Sequence, residues 1–287
     1  MNRFTCPICK QRFTQKDRSL VCPKGHTFDM AKQGYVNLLR PGKGGSVRHG
    51  DDKLMVRART VFLDAGFYDA LRDAVTKEVL THAKAGDTLL DAGCGEGFYT
   101  SHIRRTLAEA GREISVYGID VSKDAIHACA VRDRGIHLAV ASIFDLPKEN
   151  ESVNVLINLF APYDAAEFSR VLKKGGTLIR VFPRERHLWE LKCAVYDTPY
   201  ENEIDTLALE GFTLVKETPV TFDLHLNKAE YIDALFKMTP YYYKTSREDQ
   251  KKLENLEKLD THGEFLLVTY KKEASARNGD LTEAPSV

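Results

Sequence analysis

The sequence predicts an α/β protein: a mostly parallel, seven-stranded sheet with helices on both faces, behind a small N-terminal metal-binding module. Three observations predict it. Apolar strand-like runs near residues 88–91, 115–120, 136–140, 153–159 and 177–182 alternate with helix-length stretches at about 98–110, 123–131 and 164–172. That alternation is the pattern of a doubly wound parallel sheet. Two later runs, near 212–222 and 264–271, bring the strand number to seven. The first forty residues hold three cysteines and a histidine at close spacing, in a segment too short to bury a core of its own.

Composition narrows the class. The chain has 287 residues, 43% hydrophobic and 29% charged, which suits one globular domain plus a small module. No apolar run approaches the ~18 residues that span a membrane. Cys6, Lys10 and Arg12 stand where a signal peptide needs an apolar stretch, so no export signal is expected. Six cysteines, unevenly spread, do not read as a disulfide framework. The expectation is a cytoplasmic protein. Residues 1–60 carry thirteen Lys or Arg against four Asp or Glu, leaving twenty-eight against thirty-seven in the remainder of a formally neutral chain. A basic end on an acidic body fits a polyanion-binding face or an uneven solvated surface, with no preference from charge alone.

In chain order, Cys6-Pro7-Ile8-Cys9 is followed after twelve residues by Cys22-Pro23-Lys24-Gly25-His26, the pattern C-x2-C-x12-C-x3-H. Four such donors suit tetrahedral zinc, and four protein ligands leave no open position for water, so Cys6, Cys9, Cys22 and His26 are expected to hold a structural ion. Phe28, Tyr35, Val36 and Leu38 are expected to cover this module, with Lys32 and Arg40 able to reach phosphate. Residues 41–46 read as a glycine-rich linker. A helix at 54–62 carries Arg57 and Arg59, and a second runs from residue 67 towards 80. The expected division is a zinc module at 1–40, linker and helix at 41–66, the large domain at 67–272, and a disordered tail at 273–287.

The first strand of the large domain runs into Leu89-Leu90-Asp91-Ala92-Gly93-Cys94-Gly95-Glu96-Gly97. Glycines let the backbone turn sharply and a ligand lie against it. Dinucleotide sites carry G-x-G-x-x-G, whereas here the spacing is G-x-G-x-G with Phe98 next. The sequence D-x-G-x-G-x-G resembles motif I of the class I S-adenosylmethionine (SAM) methyltransferases, which assigns Asp91, Gly93, Gly95 and Glu96 to the cofactor loop. The run 116–120 ends in Asp120, placed to accept both ribose hydroxyls by the logic of dinucleotide sites. The two late strands resemble the closing antiparallel pair of the same class. Ser142, after the third strand, is a candidate contact to adenine. Tyr68 is a candidate to touch SAM or a packing residue, and the 182–188 loop offers His187 and Arg184 as site residues or as a surface loop. Asn158-Leu159-Phe160-Ala161-Pro162-Tyr163, after the fourth strand, loosely resembles the N-P-P-Y type motif of amine and base methyltransferases, with three residues inserted before Pro162. Tyr241-Tyr242-Tyr243-Lys244 suits either base stacking or a core.

Taken together, the zinc pattern, the continuation from Phe28 to Leu39, the glycine loop, His187-Leu188 with Glu190-Leu191-Lys192, and Met238-Thr239-Pro240 resemble one family up to about residue 272. It is the 23S ribosomal RNA (guanine-N1)-methyltransferases. The resemblance implies a Rossmann-like class I methyltransferase domain, SAM and one zinc as cofactors, and a zinc module that grips an rRNA hairpin. It implies cofactor contacts at Tyr68, Gly95, Glu96 and His187, a target near the macrolide-binding exit tunnel, a branch contributing to tylosin-type resistance, and a homodimer. Guanine N1 carries a proton and lies in the Watson–Crick edge, so the base must leave its pair and the proton must be accepted. Asn158, Tyr163 and Asp164 are the candidates for that array. The competing readings are a small-molecule or protein methyltransferase with a purely structural zinc, and a non-catalytic RNA-binding assembly factor.

Overall fold

The computed structural model describes residues 4–40, 50–204 and 206–273. The predicted linker at 41–46 lies outside the described residues, as does the predicted tail beyond residue 273. The N-terminal module is a small antiparallel sheet of β1 (Thr14–Lys16), β2 (Ser19–Val21) and β3 (Thr27–Asp29). A further short strand, β4 (Val36–Asn37), leaves it. Helices α1 (Lys53–Asp64) and α2 (Asp69–His82) lead to β5 (Thr88–Ala92), and α3 (Phe98–Glu109) to β6 (Ser115–Asp120). Then come α4 (Lys123–Arg132), β7 (His137–Val140), β8 (Val153–Leu159), α5 (Ala165–Val171) and β9 (Leu172–Pro183). The last part holds α6 (Trp189–Val195), β10 (Phe212–Leu226), α7 (Ala229–Met238), α8 (Tyr241–Lys244), α9 (Arg247–Glu254) and β11 (Leu259–Lys272).

The seven predicted strands are β5 to β11, and they lie in the order β10-β11-β9-β8-β5-β6-β7-β4. The pairs from β4 to β9 are parallel, whereas β9–β11 and β11–β10 are antiparallel. The chain builds outward from β5 through β6 and β7, then returns to place β8 on the other side of β5. That reversal is a topological switch point, where ligands bind beyond the carboxyl ends of the strands. Every residue of β5 is buried, as expected for a central strand covered on both faces.

The eighth strand is the departure from expectation. Val36 and Asn37 pair in parallel with Ala139 and Val140, and the Leu38 N–H donates to the Val140 carbonyl at 2.9 Å. The zinc module therefore extends the large sheet instead of standing apart from it. The faces are also covered unequally. Helices α1 to α4, α6 and α7 pack on one face, around Leu89, Val116 and Ile157. The other face holds α5, through Phe168 and Val171, together with Phe4, Phe13, Leu20, Val36 and Leu38 of the N-terminal segment. Phe4 meets Tyr117 edge-on at 5.3 Å, and the Lys148 ammonium lies 3.5 Å from the centre of that tyrosine ring. Phe28 meets Phe13 edge-on at 5.5 Å, as its predicted covering position requires, whereas Tyr35 turns to the opposite face beside His127.

Two boundaries differ from the sequence reading. The turn expected at 173–176 lies inside β9, where the β8–β9 register jumps from Val153↔Leu172 to Val155↔Thr177. Gly175, at φ 68°, carries the extra residues out of the ladder. The last two strands are longer than predicted, pairing from Phe212↔Lys272 to Leu226↔Leu259, because the ribbon runs past β9 and carries α7 onto α1. Among the described residues no helix is long and apolar enough to cross a membrane.

Because Phe4 is fully buried between the module and the sheet, Phe4→Ala should cost about 3–5 kcal/mol. Urea unfolding with separate probes for the N-terminal module and the sheet should record that loss at both. A loss confined to the module would mean that the two do not share a core.

Candidate cofactor and metal sites

Cys6, Cys9, Cys22 and His26 converge, their donor atoms all within 4.8 Å of one another. Cys9 Sγ lies 3.5 Å from Cys22 Sγ, and His26 Nδ1 lies 3.2 Å from Cys22 Sγ and 3.6 Å from Cys6 Sγ. Two tight turns set this up. Lys10 N–H closes onto the Cys6 carbonyl at 2.8 Å, and Gly25 N–H onto the Cys22 carbonyl at 2.9 Å. Gly25 has φ 81°, which glycine adopts without steric cost. Donors so close together match a tetrahedral zinc with bonds of about 2.0–2.3 Å. The protein holds a structural zinc here in a Cys3His set. Part of the basic surplus is used internally: Lys10 and Arg40 pair with Asp145, and Arg12 pairs with Glu149. Lys16, Arg18, Lys24 and Lys32 remain exposed.

The glycine loop lies at the switch point. Gly93, Gly95 and Gly97 all have left-handed φ, of 97°, 54° and 82°. At Gly93 an added Cβ would stand 2.4 Å from Ala161 Cβ, and at Gly97 2.4 Å from Cys129 Sγ, so side chains are excluded by contact as well as by conformation. Asp91 is almost wholly buried. Its Oδ2 accepts from the Thr100 hydroxyl, and its Oδ1 has no partner. Burial pushes the Asp91 carboxyl up to about 7 against the Thr100 bond, with Asp120 and Glu96 pushing the same way. Asp120 accepts from Gly95 N–H at 3.0 Å and from Ser122 N–H at 2.8 Å. Burial raises the Asp120 carboxyl, opposed by those two bonds. Burial also raises Glu96, opposed by Arg59, whose Nη1 lies 3.9 Å away and pairs with Asp51. Ser142 follows β7 and uses its hydroxyl to accept from Phe144 N–H at 3.2 Å.

Tyr68 and His187, 119 residues apart, meet with the tyrosine oxygen 3.5 Å from His187 Nε2. His187 Nδ1 accepts from Glu264 N–H at 3.2 Å, so Nε2 carries the hydrogen and points it at the tyrosine oxygen. Burial, with Lys192 and His262, holds His187 down at about 3, so the ring is neutral near pH 7. The Tyr68 ring meets Phe62, Phe222 and Phe265 edge-on at 5.2, 5.6 and 5.4 Å. Tyr68 therefore packs, with its hydroxyl turned to His187. The buried Tyr99 hydroxyl at the start of α3 also has no partner, and burial, joined by Tyr68 and Glu96, holds its proton on.

The residues of the 158–164 stretch have distinct surroundings. Asn158 is a buried brace: Nδ2 donates to the Ala92 carbonyl at 2.8 Å and the Pro162 carbonyl at 3.1 Å, while Oδ1 accepts from Arg180 Nε at 3.4 Å. The Arg180 guanidinium lies 3.7 Å from the centre of the Tyr163 ring. Asp164 caps α5, accepting from Glu167 N–H at 3.0 Å. The tyrosines of α8 divide: Tyr241 donates to Asn202 and lies beneath Lys192, Tyr242 packs on Phe236, and exposed Tyr243 donates to Asp52 at 3.0 Å. Arg180 and Asp51 were not singled out from sequence. A cation in the central run Leu178-Ile179-Arg180-Val181-Phe182 was an available signal, since buried charges need partners.

Zinc measured by atomic absorption should be one per chain. Cys22→Ser should retain less than about a tenth of it and melt at a lower temperature, because metal binding supplies folding energy to such modules. Retention of a full equivalent would exclude Cys22 as a ligand.

Comparison with known proteins agrees with this geometry. A zinc-ribbon family model described as "RlmA, N-terminal" matches residues 4–42, and one described as "Methyltransferase domain" matches residues 83–219. The candidate 23S rRNA (guanine-N(1)-)-methyltransferase YxjB of Bacillus subtilis is 34% identical over 268 residues, covering 90% of this chain and 93% of that protein. The 23S rRNA (guanine(748)-N(1))-methyltransferase of Streptomyces fradiae is 37% identical over 194 residues, 66% of each chain. A candidate 23S rRNA (guanine-N(1)-)-methyltransferase of Micromonospora griseorubida is 38% identical over 205 residues, 65% of this chain and 67% of that one. On the zinc ribbon, the glycine loop and a relative aligned along nearly its whole length, the chain belongs to the 23S rRNA (guanine-N1)-methyltransferase family.

Proposed function

We propose that this protein is a cytoplasmic enzyme that transfers a methyl group from SAM to N1 of a guanine in a hairpin loop of 23S rRNA. The observation that carries the reading is the pair of carboxylates, buried Asp91 and half-buried Asp120, on either side of the glycine turn in a chain that also carries the zinc ribbon. The unpartnered Asp91 Oδ1 and Tyr99 hydroxyl are polar atoms that a cofactor with a cationic amine and hydroxyls would satisfy. SAM supplies an electrophilic methyl on a sulfonium centre. Asp91 would hold the ammonium end, Asp120 the ribose hydroxyls, and Ser142 the adenine side. Gly93, Gly95 and Glu96 would shape the loop against the ligand, and the Tyr68–His187 pair would offer it a neutral imidazole. Alignment of N1 with the methyl group supplies much of the rate.

The N1 proton needs an acceptor, and Asp164 is the one carboxylate between residues 158 and 164. Asn158 fixes the loop through its three bonds, and Tyr163, held beneath Arg180, lines it. Exposed Lys16, Arg18, Lys24 and Lys32 give the zinc module its phosphate-binding surface. That the enzyme works as a homodimer is part of the proposal and rests on the family resemblance; sedimentation of the purified chain reads it directly.

Asp91 gives a pH dependence. Its folded pKa, about 7, lies above the ordinary 3.8, so the ligand-free fold binds more protons than the unfolded chain and loses stability as pH rises from about 4 to about 7. Asp91→Asn should therefore raise the melting temperature of the free protein at pH 8. The cofactor's ammonium favours the ionised acid, so SAM affinity should fall below about pH 7 in the wild type, and Asp91→Asn should weaken binding about tenfold or more at pH 8. A flat affinity profile, or unchanged binding by Asp91→Asn, would remove Asp91 from the cofactor site.

The reaction is tested by methylating unmodified 23S rRNA with SAM and extending a primer across it. A methyl on N1 blocks pairing, so reverse transcriptase should stop one nucleotide before a single guanine. Incorporated methyl without a stop would place the group on another atom, and no incorporation into RNA would overturn the reading.

A further inference from the structure

We infer that Phe160 is the platform on which the flipped target base lies, an assignment that rests on the RNA reading above. Among the described residues, five that are not glycine have left-handed backbone: Lys10, Asp17, Glu151, Phe160 and Leu188. The first three are polar. Phe160 and Leu188, at φ 58° and 56°, are bulky side chains in a region that favours glycine, where strain needs a compensating cause. Leu188 has one, since its side chain is fully buried. Phe160 lacks such burial, because 48% of it is open to solvent. The strained backbone holds an aromatic ring outward.

That ring has a fixed place. It meets Phe265 at 5.4 Å and Tyr99 at 6.4 Å, with interplanar angles of 61° and 52°. Phe265 in turn contacts His187 at 4.3 Å. The next residue, Ala161, lies against Gly93, its Cβ 2.4 Å from where a glycine Cβ would be. Phe160 thus stands one residue from the contact with the cofactor loop, at the carboxyl end of β8. Tyr163, which the loose N-P-P-Y likeness would nominate, carries the Arg180 guanidinium over its ring at 3.7 Å. Phe160 is the more exposed aromatic of the loop. Stacking on a purine face leaves the Watson–Crick edge free to be methylated. Every base has a π-face, so Phe160 positions the guanine, and recognition of its edge falls to polar groups of the 158–164 stretch.

The test compares wild type, Phe160→Leu, Phe160→Tyr and Phe160→Trp on in vitro transcribed 23S rRNA, with SAM affinity measured for each. Phe160→Leu should bind SAM as wild type does and lose about 5- to 150-fold in kcat/KM for RNA, the contribution of one base–aromatic stack. Tyr and Trp should restore most of it, and Trp fluorescence at position 160 should be quenched when the RNA binds. Wild-type kcat/KM for Phe160→Leu would overturn the assignment and leave the RNA reading intact. Loss of SAM affinity in proportion to loss of rate would reduce Phe160 to a structural part of the loop. A wild-type enzyme that methylates no RNA would overturn both.

Discussion

The site depends on a backbone constraint: between β5 and α3 the chain must turn left-handed three times within five residues while two acids are buried beside it. Only glycine fits at Gly93 and Gly97, where a side chain would collide with Ala161 and Cys129. The turn in turn aims Gly95 N–H at Asp120, which ties the end of β5 to the end of β6. Asp91, Glu96 and Asp120 then share a confined space in which burial raises each of them. Arg59, from a helix far upstream of the loop, sits among these acids and offsets part of their repulsion. Such a cluster is costly in the free protein and suited to a cationic ligand, so the electrostatic preference of the site is already present in the fold.

The zinc module is coupled to this arrangement through the sheet. β4 joins the edge beyond β7, and the N-terminal aromatics cover the face that helices would otherwise occupy. Asp145 and Glu149, just beyond β7, take ion pairs from Lys10, Arg12 and Arg40. Those pairs are exposed and contribute little stability individually, but they use the module's basic residues on the side nearest the domain. The cations left exposed lie elsewhere on the module. A metal that folds the ribbon therefore also fixes how a basic surface is presented at the β7 edge of the sheet.

Much of this was legible in the sequence, for physical reasons. Strand β5 is readable because a wholly buried strand is an unbroken apolar run, and the glycine turn because φ above zero leaves few other residues. The zinc ligands are readable because tetrahedral donors need tight knuckles of fixed spacing. The parallel pairing of Val36 and Asn37 with β7 was hidden: two residues make no periodic pattern, and their partner is a hundred residues away. The brace at Asn158 was hidden for a related reason. Its partners Ala92 and Arg180 come from two neighbouring strands, so an amide that reads as a loop donor in one dimension is a buried crosslink in three. Tyr68 and His187 could each be nominated, but their pairing and the tautomer that Glu264 imposes are properties of the fold alone.

The carboxyl end of β8 thus combines a rigid floor and a projecting loop. Asn158 and Arg180 hold the loop down, Phe160 stands out from it, and Asp164 closes it as the cap of α5. The central claim, methyl transfer to guanine N1, is tested most directly by digesting 23S rRNA to nucleosides after reaction with isotopically labelled SAM and identifying the labelled species by chromatography and mass spectrometry. Labelled 1-methylguanosine is the expected product. Label in 2-methylguanosine, 7-methylguanosine or another nucleoside, or in none, would contradict it.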